Sequence, residues 1–180
     1  MVRREIFFVR TGAYDLETER LNGIGVEQMT NAAEWLASVL SKESTLVLGT
    51  VALPAALESA EIIHKTLTAN EVPCHLATHN EIATLGLFPE RTPDLDGALE
   101  RILEDVADAD GPPANLAVVT SRHLLQATLT LKSDSSYRAK LDCTSILHKP
   151  IITGGSIVEY VPGTWPYLHF AYTANFTAVD

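Results

Sequence analysis

The chain has 180 residues, of which 46% are hydrophobic and 20% charged, a composition typical of globular rather than disordered proteins. This length predicts one domain over residues 1–180, large enough to bury a core without disulfides. The formal net charge of −10 disfavours nucleic acid and anionic membranes as partners, because the long-range field repels both. No apolar run is long enough to span a bilayer, and the two cysteines are distant in sequence. We therefore expect a cytoplasmic protein with reduced thiols.

An apolar run that ends in an arginine opens the chain. Four consecutive apolar residues, Ile6–Val9, predict a fully buried parallel strand. Such a strand delivers its carboxyl end, here Arg10-Thr11-Gly12, to the crevice in which open α/β sheets bind ligands. Gly12 permits a tight turn, and the Arg10 guanidinium matches the geometry of phosphate and carboxylate groups. An anion site is one interpretation; for Arg10 taken alone, a strand cap paired with a neighbouring acid is the favoured one.

The chain then alternates predicted helices and strands. A helix begins at Gly25 and ends at Ser41–Ser44, with its inner face at Val26, Met29, Ala33, Leu36 and Leu40. A second helix begins at Pro54, which suits a first helical turn, with its inner face at Leu57, Ala60, Ile62, Ile63 and Leu67. Strands are predicted at Thr45–Leu48, Val72–Leu76 and Leu116–Thr120, an acidic helix at Asp94–Ala109, and a closing hairpin from Gly155–Val161 and Tyr167–Tyr172. This alternation predicts an α/β fold with a mostly parallel sheet.

Four segments, in this order, resemble motifs of the histidine phosphatase (phosphoglycerate mutase-like) superfamily. Residues 8–12 resemble its apolar-apolar-Arg-His-Gly opening, and residues 21–28 its Leu-Thr-x-x-Gly-x-x-Gln segment, with Leu21, Gly25 and Gln28 in register. Residues 50–60 resemble the Ser-Ser-Pro-Leu-x-Arg-Ala-x-x-Thr-Ala junction, and the strand at 116–120 leads into what resembles the Val-Val-x-His turn. The resemblance covers nearly the whole chain except residues 133–153, and it implies a three-layer α/β/α sandwich with a mostly parallel central sheet.

This chain departs from the superfamily at the residues that carry its chemistry. Thr11 stands at the position of the nucleophilic histidine, Ser121 at that of the second histidine, and Ala55 at that of the second phosphate-binding arginine. Of the phosphate-binding residues, Arg10 is retained, as is the adjacent Gly12. A threonine hydroxyl needs a neighbouring base before it can act as a nucleophile, and the sequence offers no evident one.

Three further residues near these motifs bear on catalysis. By the same resemblance, Glu81 matches a glutamate that protonates the leaving group, so it is a candidate general acid, although a solvated loop carboxylate is an equal interpretation. Arg122 and His123 would place positive charge near a helix amino terminus, a position that favours phosphate binding. His123 lies two residues beyond the family position, a helical rotation of about 200°, and this makes it a poor geometric substitute for the missing histidine.

The sequence leaves three functional hypotheses. The first is a catalytically impaired histidine phosphatase-like protein that binds a phosphorylated small molecule or a protein partner, with no cofactor and no metal. The second is an active phosphatase, acting on phosphomonoesters or phosphohistidine, with a rearranged site that uses His123. The third is a structural or assembly subunit that forms an oligomer through its aromatic hairpin at Trp165, Tyr167, Phe170 and Tyr172.

Overall fold

The computed structural model describes residues 5–78, 114–120, 154–160 and 168–172. In chain order their elements are β1 (Ile6–Arg10), α1 (Gly23–Val39), β2 (Thr45–Thr50), α2 (Pro54–Ala69), β3 (Cys74–Thr78), β4 (Ala114–Thr120), β5 (Ile157–Tyr160) and β6 (Leu168–Tyr172). The strands and helices predicted within these ranges are confirmed, with ends that differ by a few residues. The predicted helix at Asp94–Ala109 and the region 133–153 lie outside the described residues.

One sheet contains the six strands, in the order β3-β2-β4-β1-β5-β6. β1, β2, β3 and β4 run parallel, whereas β5 pairs antiparallel with β1 and β6 antiparallel with β5. The apolar run of β1 explains its central place, because a strand with no polar face must be covered on both sides. Register pairs Arg10 with Thr120 and Thr50 with Val119, so the carboxyl ends of β1, β2 and β4 meet at one edge.

Helix α1 buries four of its five predicted inner residues, namely Met29, Ala33, Leu36 and Leu40, but not Val26. Gly25, Gln28, Met29 and Ala32 are buried, whereas Val26, predicted to face inward, is 45% exposed. The prediction for Val26 is wrong because the first turns of α1 pack on the segment that follows β1, where a glycine and a hydrogen-bonding glutamine fit and a branched side chain does not. Asn22 begins the helix, with its side-chain oxygen accepting from the Gly25 N–H (2.9 Å).

Helix α2 packs beside α1 and turns its small residues inward. Ala55, Ala56, Ser59 and Ala60 are buried together with Ile63 and Leu67. Leu57 and Ile62, both predicted as inner residues, are only partly buried. Because these side chains are small, α2 can approach the end of β1 closely. The same small residues weaken the hydrophobic periodicity of the first turns of α2. Within the described ranges, neither α1 nor α2 has the length and apolar character needed to cross a membrane.

Candidate functional site

The candidate site lies where β1 ends, between β4 on one side and residues 154–156 on the other. The Thr11 N–H donates to the Thr120 carbonyl oxygen at the end of β4 (2.9 Å). Across the strand, the Arg10 N–H donates to the Ser156 carbonyl oxygen and the Gly155 N–H donates to the Arg10 carbonyl oxygen, each at 2.9 Å. Residues 10–12 are therefore fixed on both flanks by backbone hydrogen bonds, at the sheet edge that the sequence predicts to bind a ligand.

Thr11, which the motif resemblance aligns with a nucleophilic histidine, is buried and hydrogen-bonded. Its side chain is 6% exposed, and its hydroxyl donates to the Thr120 carbonyl oxygen (3.0 Å). A backbone carbonyl accepts a hydrogen bond but is far too weakly basic to remove the hydroxyl proton. Among the residues that the structure describes, no histidine or carboxylate hydrogen-bonds to this hydroxyl. The contact orders Thr11 without activating it.

The backbone N–H groups that follow β1 are all used inside the protein. The Gly12 N–H donates to Ser59 Oγ (3.3 Å), and the Ser59 hydroxyl donates in turn to the Ala55 carbonyl oxygen (2.7 Å). The Ala13 N–H donates to Gln28 Oε1 (2.8 Å), and the Thr11 N–H is held by β4 as described above. The turn after β1 therefore offers no spare N–H of residues 11–13 to an anion.

Glycines enclose this turn. A Cβ on Gly12 would lie 2.5 Å from the Gly25 carbonyl oxygen, and one on Gly25 would overlap the Ala13 carbonyl oxygen. From the opposite side, Gly154 packs against Gly12 and the Gln28 side chain, and Gly155 has a φ of +78° that side chains rarely adopt. The motif register identifies Gly25 and Gln28 from the sequence. The sequence did not predict the contact of Gly154 with this turn, for which the pair Gly154-Gly155 is the only local indication.

The amino terminus of α2 supplies partial positive charge to this edge. Leu53, its N-cap, makes no side-chain cap hydrogen bond, and the first turn holds no acidic residue. Such an end is favourable for an anion because its first N–H groups lack helical acceptors. Ala55, which the motif resemblance aligns with a phosphate-binding arginine, lies in this turn and is 4% exposed. Arg10 is partly buried at the end of β1.

The structure therefore places four of the predicted site residues, namely Arg10, Thr11, Gly12 and Ala55, at one edge of the sheet. Ser121, Arg122 and His123 directly follow Thr120 in sequence but lie, like Glu81, outside the described residues. Within the described ranges, no group of three His, Cys, Asp or Glu side chains is placed to hold a metal ion.

Glu58 contacts the segment before α1, which the sequence did not predict. Its Oε2 accepts from the Leu21 N–H (2.8 Å), and its Oε1 lies 3.3 Å from Arg20 Nε. The carboxylate thereby ties the segment before α1 to the second turn of α2. Glu58 belongs to no periodic pattern and lies 37 residues from Leu21, so only the folded chain reveals its role.

Solved structures of similar fold extend over nearly the whole chain. Phosphoglycerate mutase from Plasmodium falciparum is 16% identical with a TM-score of 0.55, covering 100% of this chain and 99% of its own. A candidate phosphohistidine phosphatase, SixA, from Agrobacterium tumefaciens is 11% identical with a TM-score of 0.53, covering 97% and 99%. A mycobacterial glucosyl-3-phosphoglycerate phosphatase in complex with VO3 is 14% identical with a TM-score of 0.50, covering 96% and 100%.

These similarities define the class of fold. The chain has the α/β fold of phosphoglycerate mutase-like proteins, and the predicted three-layer sandwich with a mostly parallel central sheet is confirmed. At such low sequence identity the similarity establishes the fold and not the activity. No protein-family model matches the sequence, and no curated protein matches it significantly.

Proposed function

We propose that this chain is a histidine phosphatase-like protein that has lost phosphoryl transfer through histidine and acts by binding a phosphorylated ligand or a protein partner. One observation carries the proposal: at the position of the nucleophile, the buried Thr11 hydroxyl donates to the backbone carbonyl of Thr120 (3.0 Å). Its proton is held by a group that cannot remove it. We also propose a cytoplasmic location, which the free thiol of Cys74 supports.

The chemistry explains why this replacement matters. Transfer through histidine needs an imidazole nitrogen in line with the leaving group and several cations around the equatorial oxygens. A threonine phosphate ester would also hydrolyse slowly compared with a phosphohistidine. At Ala55, where the resemblance places the second cation, the side chain is a buried methyl group that carries no charge.

Features that favour an anion remain at the same edge. Arg10 ends β1, and the amino terminus of α2 has neither a side-chain cap nor an acid in its first turn. Several proteins of similar fold are described as phosphatases, one of them solved with VO3, an oxyanion. These points support a phosphorylated ligand that is bound and not turned over.

The test is a phosphatase assay with a panel of phosphomonoesters and phosphohistidine, from mildly acidic to neutral pH. Wild type is compared with Arg10→Ala and His123→Ala. We expect no turnover by wild type, and inorganic phosphate should raise its melting temperature but not that of Arg10→Ala. Turnover that both variants lose would overturn the proposal in favour of a site rebuilt around His123. Equal activity in all three proteins identifies a contaminating phosphatase. The proteins are then purified to constant specific activity, and the assay of wild type and the two variants is repeated.

A further inference from the structure

The pair Asn22-Gly23 lies where the chain after β1 enters α1. Gly23 is the first residue of the helix and is exposed, and Asn22 is its N-cap. A Cβ at Gly23 would have no atom within 4 Å, so this side of the peptide bond between the two residues is open. An asparagine that precedes glycine readily loses its side-chain amide, because no side chain on the glycine hinders attack by the glycine nitrogen.

The nucleophile of this reaction is the backbone nitrogen of Gly23. The first N–H groups of a helix have no helical acceptor, and no group in the described part of the chain accepts a hydrogen bond from the Gly23 N–H. Asn31 provides the contrast, since the residue after it, Ala32, lies in the middle of α1, where its N–H takes part in the helical hydrogen bonding. The Gly23 nitrogen can therefore lose its proton without breaking a hydrogen bond.

The side-chain amide of Asn22 is polarised for this attack. Asn22 Oδ1 accepts from the Gly25 N–H (2.9 Å), which lies at the positive end of the helix dipole. When Cγ is attacked, negative charge develops on Oδ1, and a fixed N–H group at a helix amino terminus stabilises that charge. The first turn of α1 contains no acidic residue that would oppose it.

We propose that Asn22 is a site of spontaneous deamidation. The Gly23 nitrogen gives its proton to the solvent and bonds to Asn22 Cγ, the bond from Cγ to the side-chain nitrogen breaks, and that nitrogen takes up a proton and leaves as ammonia. Water then opens the succinimide ring. Cleavage between the Gly23 nitrogen and Cγ yields aspartate, whereas cleavage between that nitrogen and the Asn22 carbonyl carbon yields isoaspartate. This inference is independent of the proposed function.

The two products have different effects on the start of α1. Aspartate leaves the backbone unchanged and is itself a preferred N-cap. Isoaspartate lengthens the main chain by a methylene group beside a closely packed contact, because the Asn22 N–H donates to the Ala13 carbonyl oxygen (3.1 Å) and a Cβ on Gly25 would overlap the same oxygen. The longer chain therefore displaces either the first turn of α1 or the turn after β1.

The test stores the full chain at mildly alkaline pH for several weeks and follows it by tryptic digestion and mass spectrometry, with fragmentation that separates aspartate from isoaspartate. Cleavage after Arg20 and Lys42 places Asn22 and Asn31 in one peptide. We expect loss of the Asn22 amide but not of the Asn31 amide. Gly23→Ala is the matched control, since its methyl group meets no atom within 4 Å and hinders the attacking nitrogen. It should suppress the reaction and keep the fold.

Equal conversion of the two asparagines, or undiminished conversion in Gly23→Ala, would overturn the proposal. So would an intact Asn22 in the folded chain under conditions that deamidate a synthetic peptide of residues 21–42, because the cap would then protect the amide.

The structural consequence is measured on the separated products. The isoaspartyl fraction should melt below fresh wild type and exchange the amide hydrogens of residues 11–13 faster. Asn22→Asp carries the same added charge on an unchanged backbone and should do neither. An isoaspartyl fraction that melts like Asn22→Asp would contradict the displacement at the start of α1.

Discussion

Ser59 joins two segments with a single hydroxyl. It accepts from the Gly12 N–H (3.3 Å), donates to the Ala55 carbonyl oxygen (2.7 Å) and is fully buried. In the motif resemblance, Ser59 aligns with a threonine, and Ala55, four residues earlier, aligns with an arginine. At the scale of single residues, the buried Ser59 hydroxyl therefore links the turn after β1 to the first turn of α2.

Ser59→Ala should lower the free energy of unfolding by about 1–2 kcal/mol, because the buried Gly12 N–H then has no acceptor. Urea denaturation measures this change. Thr68→Ala is the matched control, since the exposed Thr68 hydroxyl makes the same i−4 contact on the same helix, with the His64 carbonyl oxygen (2.8 Å). It should change stability by less than about 0.5 kcal/mol. Equal effects of the two substitutions would refute the role assigned to Ser59.

Cys74 should be unreactive in the folded protein. Burial raises the pKa of its thiol from an ordinary 9.0 to about 12, which lowers the thiolate population about a thousandfold at neutral pH. In a Cys143→Ser background, labelling by a disulfide reagent at pH 8 should be at least about a hundredfold slower in buffer than in urea. Because the folded-state pKa is the higher one, the thiol's contribution to stability is complete below pH 9 and declines as the pH rises toward 12. Rapid labelling in buffer would show that the partial burial of Cys74 does not suppress its thiolate.

At the scale of elements, the first turns of α1 form one wall of the candidate site. Gly25 lies against the Ala13 carbonyl oxygen, and Gln28 holds the Ala13 N–H (2.8 Å). On the other side of the turn, Gly155 packs on the Gln28 backbone, where a Cβ would lie 2.6 Å from the carbonyl oxygen. The turn after β1 therefore has neighbours at van der Waals contact on both faces, and its conformation depends on how closely α1 can approach.

Gly25→Ala should be strongly destabilising, by about 3 kcal/mol or more, since its methyl group overlaps a backbone atom that cannot move alone. Gly23→Ala is the matched control, because a Cβ at Gly23 has no atom within 4 Å. This control should change stability by less than about 1 kcal/mol, in the stabilising direction, since alanine favours helix. Thermal unfolding followed by circular dichroism distinguishes the two. A Gly25→Ala protein as stable as wild type would show that α1 does not approach the turn this closely.

The sequence predicts elements better than it predicts their faces. β1 and β4 are apolar runs, and the β5–β6 hairpin alternates, so each strand carries its own signal. The later turns of α1 and α2 bury residues predicted to face inward, such as Leu36, Ile63 and Leu67, whereas the first turns bury glycine, alanine, serine and glutamine, which give no hydrophobic signal. Val26 was therefore expected inside, although it is exposed.

The candidate site, too, could be predicted from the sequence only in part. The motif at Arg10–Gly12 identifies the edge of the sheet at which the site lies, because it follows directly from one strand. The contact between Thr11 and Thr120 spans 109 residues, and that between Glu58 and Leu21 spans 37. Pairings this distant depend on the order of the strands and on the packing of α2, and no local pattern encodes them.

At the scale of the whole molecule, the sheet order shows which contacts of β1 depend on its side chains and which do not. β1 lies between β4 and β5 and forms backbone ladders with both. Those ladders require no particular side chain at position 11, so a histidine at the strand end can be exchanged without loss of the fold. The proposed function, binding without phosphoryl transfer, therefore requires no change in this fold.

The most direct test of this account is to look for a covalent phosphoenzyme. The full chain is incubated with a small phosphoryl donor, quenched in parallel under acid and alkaline conditions, and measured by intact-protein mass spectrometry. Phosphohistidine survives alkali and is lost in acid, whereas phosphothreonine survives acid. We predict no phosphorylated species under either quench, in wild type or in His123→Ala. An alkali-stable, acid-labile phosphoryl group that disappears in His123→Ala, or an acid-stable one on Thr11, would contradict the account.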